Sequence, residues 1–315
     1  MSQPKVVLIT GGVGGAKLAE GLAAVLPPGQ LSIIGNVGDD EAFHGLWVSP
    51  DIDTLLYTLS GKINRETGWG RSEETFQAQG VLKALGQETW MQLGDRDLAL
   101  HIYRTAERVA GKSASEITAN IAKSLGIQHE ILLPTDQTVQ TRLQTASGDW
   151  LSMQAYFVRD RCQPEITAID YAGSKTATAK PSVIRAILDA DLLLIAPSNP
   201  LLSIAPTLAL KEIYDAIIQS SAYCAAMSPL IGGQAIKGPT CEILNACGYE
   251  PSLSGIADYY APLIDGLIID IKDQGQTEKL SNRGLDIYCQ NILMSDPESR
   301  ATVATEMMER LKDKI

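Results

Sequence analysis

Apolar residues along this chain fall into short blocks with two different rhythms. Val6-Val7-Leu8-Ile9 is an unbroken apolar run and predicts a buried parallel strand. Ala16, Leu18, Ala19 and Leu22 follow at helical spacing. After the Pro27-Pro28-Gly29 break, Leu31-Ser32-Ile33-Ile34-Gly35 predicts a second strand. Two strands around one helix form a βαβ unit, whose sheet is parallel. Apolar runs at 191–195, 222–227 and 267–270 predict further strands of the same sheet. Residues 286–294 read as a short strand and loop. The last helix, from Arg300, carries Val303, Met307, Met308 and Leu311 on one face.

The middle of the chain behaves differently. Residues 61–126 show helical patterning with polar faces and no strong strand. Residues 139–145 alternate, Ser147-Gly148-Asp149 turns, and 150–158 continue extended, which predicts a β-hairpin. The expected fold is therefore α/β: a doubly wound, Rossmann-like parallel sheet with an inserted, mostly helical segment and a β-hairpin. The core is expected at 1–45 and 171–315, with 46–170 inserted over the ligand edge of the sheet.

Composition narrows the function. The 315 residues are 45% hydrophobic, 20% charged and only 5% aromatic, which suits an α/β core better than an all-β sandwich. The formal net charge of -11 gives no footprint for nucleic acid or an anionic membrane. An acidic protein that binds phosphates needs a divalent cation or local basic groups to offset repulsion. The five cysteines, an odd number without a C-x-x-C pair, predict reduced thiols and a cytoplasmic protein. No apolar run approaches the ~18 residues of a membrane span. The first strand begins so early that no signal peptide is expected.

The candidate chemistry sits where strands end, because ligands of open parallel sheets bind beyond the carboxyl ends of the strands. After the first strand comes Gly11-Gly12-Val13-Gly14-Gly15, with Lys17 close behind. Strand, glycines and helix make a phosphate cradle, since glycine admits close backbone approach and the helix start offers N–H donors. The loop matches neither the dinucleotide pattern, whose third glycine is here Lys17, nor the Walker pattern, which needs Ser or Thr after its lysine. A tight turn that binds nothing is the competing reading. After the second strand comes Asn36-Val37-Gly38-Asp39-Asp40, whose acids suit a ribose hydroxyl, a hydrated metal or a solvated turn. In Ser49-Pro50-Asp51-Ile52-Asp53-Thr54, an extended backbone would put Asp51 and Asp53 on one face, about 6–7 Å apart, ready for a divalent ion. Alternatively Ser49 caps a helix, Pro50 opens it and the acids lie in its first turn. Gly68-Trp69-Gly70 is a stacking platform or a packed loop. The acids around Arg96 read as a surface ion-pair network; His101 and Arg104 lie one turn apart on one helix face, and the lone His reads as structural. Ser198 and Asn199 in Pro197-Ser198-Asn199-Pro200, and Gly232-Gly233 ahead of Lys237-Gly238-Pro239, supply two more polar tips. Four such tips on one sheet edge point to a large anionic ligand, most simply a nucleotide.

Taken together and in order, these motifs, with Leu93-Gly94-Asp95-Arg96-Asp97, resemble the 2-phospho-L-lactate transferase family (CofD/FbiA) of coenzyme F420 biosynthesis. The resemblance covers nearly the whole chain. It departs where Val13 replaces the usual Thr, and it weakens after Asp273. It implies a Mg2+-dependent transfer of a phospho-three-carbon-acid group from a guanosine diphosphate-linked donor to the ribityl hydroxyl of the deazaflavin Fo, with release of GMP. It places Fo contacts at Asp53 and Arg96. The expected roles are then Asp53, Arg96 and Asp51 in catalysis and Asp51 and Asp53 on the metal. Ligand contacts are expected from Gly11, Gly12, Gly14, Gly15, Lys17, Asp39, Asp40, Trp69, Ser198, Asn199, Gly232 and Gly233. The resemblance also points to a homodimer acting on small molecules. The competing function is a nucleotide-sugar-binding regulator with the same glycine loop, against which Asp51-x-Asp53 and Asp95-Arg96-Asp97 count. A nicotinamide dehydrogenase ranks third.

Overall fold

The computed structural model describes residues 4–235 and 238–315, so Lys237 of the last polar tip lies outside them. Seven strands form the central sheet, all parallel. Their spatial order is Asp286–Gln290, Gly266–Asp270, Tyr223–Met227, Leu192–Ile195, Val6–Thr10, Leu31–Gly35 and Glu130–Leu132. From the first strand the chain proceeds outward one way through Leu31–Gly35 and then returns to build the other side. Strand order thus reverses between Val6–Thr10 and Leu192–Ile195, and this switch point opens the crevice in which such sheets bind ligands.

The strands are apolar throughout because both sheet faces are covered. Val7, Ile9, Leu193 and Ile195 pack with Val183, Ile187, Ile213 and Ile256 on one side. Val6, Leu8, Leu192 and Leu194, their period-two neighbours, pack with Leu18, Leu22, Val303 and Met307 on the other. The latter set joins the glycine-loop helix Gly12–Val25 to the C-terminal helix Pro297–Leu311.

Three features depart from expectation. First, Glu130–Leu132 pairs with Leu31–Gly35 and belongs to the main sheet, although it lies within the stretch expected as an insertion. Second, the hairpin forms from Gln140–Thr145 and Trp150–Ser152 but ends there. Met153, Gln154, Ala155 and Tyr156 are all buried, where an edge strand with one solvated face would alternate, and the chain winds into a wide helical turn over Ala155–Arg159 instead. A third strand, Ile166–Ala172, completes this small antiparallel sheet. Third, Glu41–Phe43 and Leu46–Val48 form a short ribbon turning on His44 and Gly45, both at positive φ. The helices expected between 61 and 126 are Gln77–Ala84, Asp95–Val109 and Ala114–Ser124.

Candidate active site

At the switch point two strand tips touch. The Ser198 hydroxyl donates to the Gly11 carbonyl at 2.6 Å. A Cβ on Gly14 would lie 2.5 Å from the Pro197 carbonyl oxygen, and one on Gly15 1.8 Å from Thr10 Oγ1 and 2.9 Å from Ser198 Oγ. The glycines therefore serve close packing as well as any ligand. Gly12 begins the helix at φ 66°, a conformation that favours glycine. Lys17 is half-buried in the second turn. Asn199 Oδ1 caps the following helical turn by accepting from the Leu201 and Leu202 N–H groups. Removing the Ser198 hydroxyl should cost about 1 kcal/mol, because it leaves one buried carbonyl bond unmade. Urea unfolding of Ser198→Ala checks this.

The second strand ends in a buried polar knot. Asn36 Nδ2 donates to Asp39 Oδ1 at 3.1 Å and to Asp51 Oδ2 at 2.9 Å, while Asn36 Oδ1 accepts from the Gly38 N–H at 2.8 Å. Asp51 also accepts from the Gly12 N–H. Burial pushes the Asp39 carboxyl well above its usual range, and the charge of Asp51 pushes it further. Burial likewise raises Asp51.

Asp51 and Asp53 lie in the first turn of the helix Pro50–Leu59, so the helical alternative holds and not the extended one. Ser49 occupies the cap position, but its hydroxyl donates to Asp40 Oδ2 at 2.8 Å and not to the helix. Two residues along a helix turn about 200°, so the two carboxylates diverge. Asp51 meets Asn36 and the glycine loop. Asp53 meets the helix Asp95–Val109, where Arg104 Nη1 donates to Asp53 Oδ2 at 3.1 Å and Nη2 to Oδ1. Arg104 Nη1 also lies 3.1 Å from His101 Nδ1. His101 Nε2 stands 3.4 Å from Asp97 Oδ2, and the Tyr57 hydroxyl donates to Asp97 Oδ1 at 2.5 Å. Burial and the Asp53 and Asp97 charges raise the Tyr57 phenol, which keeps its proton.

Asp53, Asp97 and His101 bring ligand atoms within 4.8 Å of one another and offer a metal site. The guanidinium wedged between His101 and Asp53 already supplies positive charge there. The second acidic group, Asp39 with Asp51, offers oxygen donors alone, the set that hard cations such as magnesium prefer. Beside it, Asp40 Oδ1 is buried without a hydrogen-bond partner among the described residues.

Burial raises Asp40 to about 7, although Ser49, Arg104 and Trp47 pull the other way. A carboxyl raised in the fold stabilises below the unfolded value and loses that contribution as pH rises through the folded one. Metal-free wild-type protein should lose about 1.4 kcal/mol per pH unit between about 5 and 7 relative to Asp40→Asn. Urea unfolding of both proteins in chelator, at about pH 5 and pH 8, measures it.

The other expected residues lie farther out. Trp69 is half-exposed. Arg96 is exposed and donates to Glu73 at 2.9 Å, while Glu74 accepts the Arg96 and Asp97 N–H groups. Gly232 and Gly233 turn a two-residue ribbon, and the Gly232 N–H donates to Asp273 at 2.8 Å. Asn36, Tyr57, Asp97 and Arg104 are the site residues that sequence reasoning left without a role.

Residues 6–308 match the family described as 2-phospho-L-lactate transferase CofD. The chain belongs to this family. It is 35% identical over 310 residues to a phosphoenolpyruvate transferase of Streptomyces griseus subsp. griseus, covering 97% of this chain and 98% of that one. A 2-phospho-L-lactate transferase of Methanococcoides burtonii is 33% identical over 293 residues, covering 93% and 95%. Among solved structures, protein BH3568 from Bacillus halodurans shares the fold at TM-score 0.67 and 15% identity, covering 99% of this chain and 100% of that one. CofD membership makes the protein a transferase of small molecules in F420 biosynthesis. Among the described residues, no helix is long and apolar enough to cross a membrane.

Proposed function

We propose that this CofD protein joins a phospho-three-carbon acid, of the 2-phospho-L-lactate or phosphoenolpyruvate type, to the ribityl hydroxyl of the deazaflavin Fo. The donor is the acid linked through a diphosphate to guanosine, and GMP leaves. The observation that carries the reading is the junction of the glycine loop, the Asn36–Asp39–Asp51 knot and the Ser198 tip at one switch point, in a chain that matches this family over nearly its full length.

In this reading the donor diphosphate lies at the start of the helix Gly12–Val25, where the first N–H groups have no partner within the helix. Asp51 with Asp39 would hold magnesium, which when bound neutralises phosphate charge. Asp53 accepts a hydrogen bond from the attacking ribityl hydroxyl and orients it toward the phosphorus. The new bond joins that oxygen to the phosphorus bearing the acid. The bond from this phosphorus to the GMP oxygen breaks, and GMP carries the electron pair away. The hydroxyl proton is released to solvent. Arg96 is exposed, its charge would draw in an anionic donor, and Trp69 would offer a face for the flat deazaflavin ring. The protein acts in the cytoplasm as a homodimer.

Incubation with Fo, the guanylylated acid and magnesium tests the proposal. GMP and a phosphodiester product should appear in equal amounts. No GMP release, together with tight binding of a uridine diphosphate sugar, would overturn it.

A further inference from the structure

Arg104 is 3% exposed, in the middle of the helix Asp95–Val109. Burial by itself disfavours its charge, and the adjoining Asp53 carboxylate overrides this, so the guanidinium stays protonated. Both its terminal nitrogens serve one carboxylate, and Nη1 reaches the Trp47 carbonyl at 3.4 Å. A guanidinium only donates, so its contact with His101 Nδ1 fixes that nitrogen as the acceptor and leaves the ring proton on Nε2, facing Asp97. Tyr57 closes the chain on the other Asp97 oxygen. Arg104 meets the Asp53 carboxylate directly, and His101, Asp97 and Tyr57 follow it in series.

Stability alone is a poor reason to keep such a pair. Buried ion pairs contribute little net stability against apolar residues of the same volume, because desolvation offsets attraction. The bidentate fork does something an apolar pair cannot: it fixes the plane and rotation of a carboxylate. Asp51, in the same helical turn, is held by an amide and a backbone N–H instead. The two acids of Asp51-Ile52-Asp53 are thus set by separate partners on opposite sides of one helix.

We infer that Arg104 is a positioning residue for the acceptor: its fork holds Asp53 in the orientation that receives the ribityl hydroxyl, independently of the donor side at Asp51. The inference rests on the function proposed above. It gives Arg104 no contact with either substrate.

The test compares wild type, Arg104→Met, Arg104→Lys, Asp53→Asn and the Arg104→Met/Asp53→Asn double variant. Circular dichroism checks folding, and Arg104→Lys substitutes if Arg104→Met fails to fold. Fo binding is read from the fluorescence of the deazaflavin, and transfer from GMP release. Loss of the fork should lower kcat/KM for Fo about 100-fold, the usual cost of a misplaced group, and leave the donor KM unchanged. Arg104→Lys keeps the charge but not the fork and should restore little. The double variant should be no worse than Asp53→Asn, because Arg104 acts only through Asp53. Multiplied losses in the double variant, a raised donor KM, or normal Fo kinetics in Arg104→Met would overturn the inference while the functional reading stands. Wild-type protein that neither binds nor transfers Fo would overturn the functional reading, and this inference with it.

Discussion

Asp51→Asn should make the metal-free protein more stable and at the same time nearly abolish transfer. Burial raises the Asp51 carboxyl, and the charge of Asp51 raises Asp39 after burial has done so. For a carboxyl raised in the fold, the charged form is the costly one. Stability is fully present at low pH and is lost as pH climbs from the unfolded value through the folded one. A neutral amide keeps that advantage at neutral pH, worth about 1–2 kcal/mol for a group still held by Asn36 and the Gly12 N–H. Transfer should fall about 1000-fold, because a cation ligand beside the diphosphate is lost. Magnesium should raise the melting temperature of wild type, since it binds only the folded state, and should do so much less for the variant. Thermal unfolding with and without magnesium, run beside a GMP-release assay, gives all these quantities. An unchanged response to magnesium would remove Asp51 from the cation site.

Gly15→Ala should be strongly destabilising. Its Cβ would lie 1.8 Å from Thr10 Oγ1 and 2.9 Å from Ser198 Oγ. Both hydroxyls belong to short, buried side chains, and the Ser198 hydroxyl cannot swing aside without giving up its bond to the Gly11 carbonyl. Overpacking of this kind costs about 3 kcal/mol and should separate the two loops that form the crevice. Gly233→Ala is the contrast. Nothing lies within 4 Å of that Cβ, and the only cost is a φ of 72°, about 1 kcal/mol. Urea unfolding of the two variants should therefore differ by about 2 kcal/mol. Donor KM should rise only for Gly15→Ala if Gly233 makes no ligand contact.

Much of this architecture was legible because strands buried on both faces announce themselves. Val6-Val7-Leu8-Ile9 and the run before Ala196 have no polar face to present, and the tips that follow them stand out as breaks. Glu130–Leu132 escaped notice because three residues carry too little pattern. Asp51-x-Asp53 misled for a reason of periodicity. The same spacing that aligns two side chains on a strand separates them on a helix. Arg104 looked like an ordinary polar residue because its partner, Asp53, lies 51 residues earlier, and no local signal encodes a contact across that distance. His101, one turn away, was the only hint.

The proposed transfer requires the donor diphosphate to occupy the junction of the glycine loop and the Ser198 tip. Crystals soaked with GDP and magnesium address it directly. Both phosphorus atoms should lie over the start of the helix Gly12–Val25, with phosphate oxygens within hydrogen-bond reach of its first N–H groups and the cation bound to Asp51. A diphosphate found elsewhere, for example beside Trp69 or Arg96 with the glycine loop untouched, would contradict it.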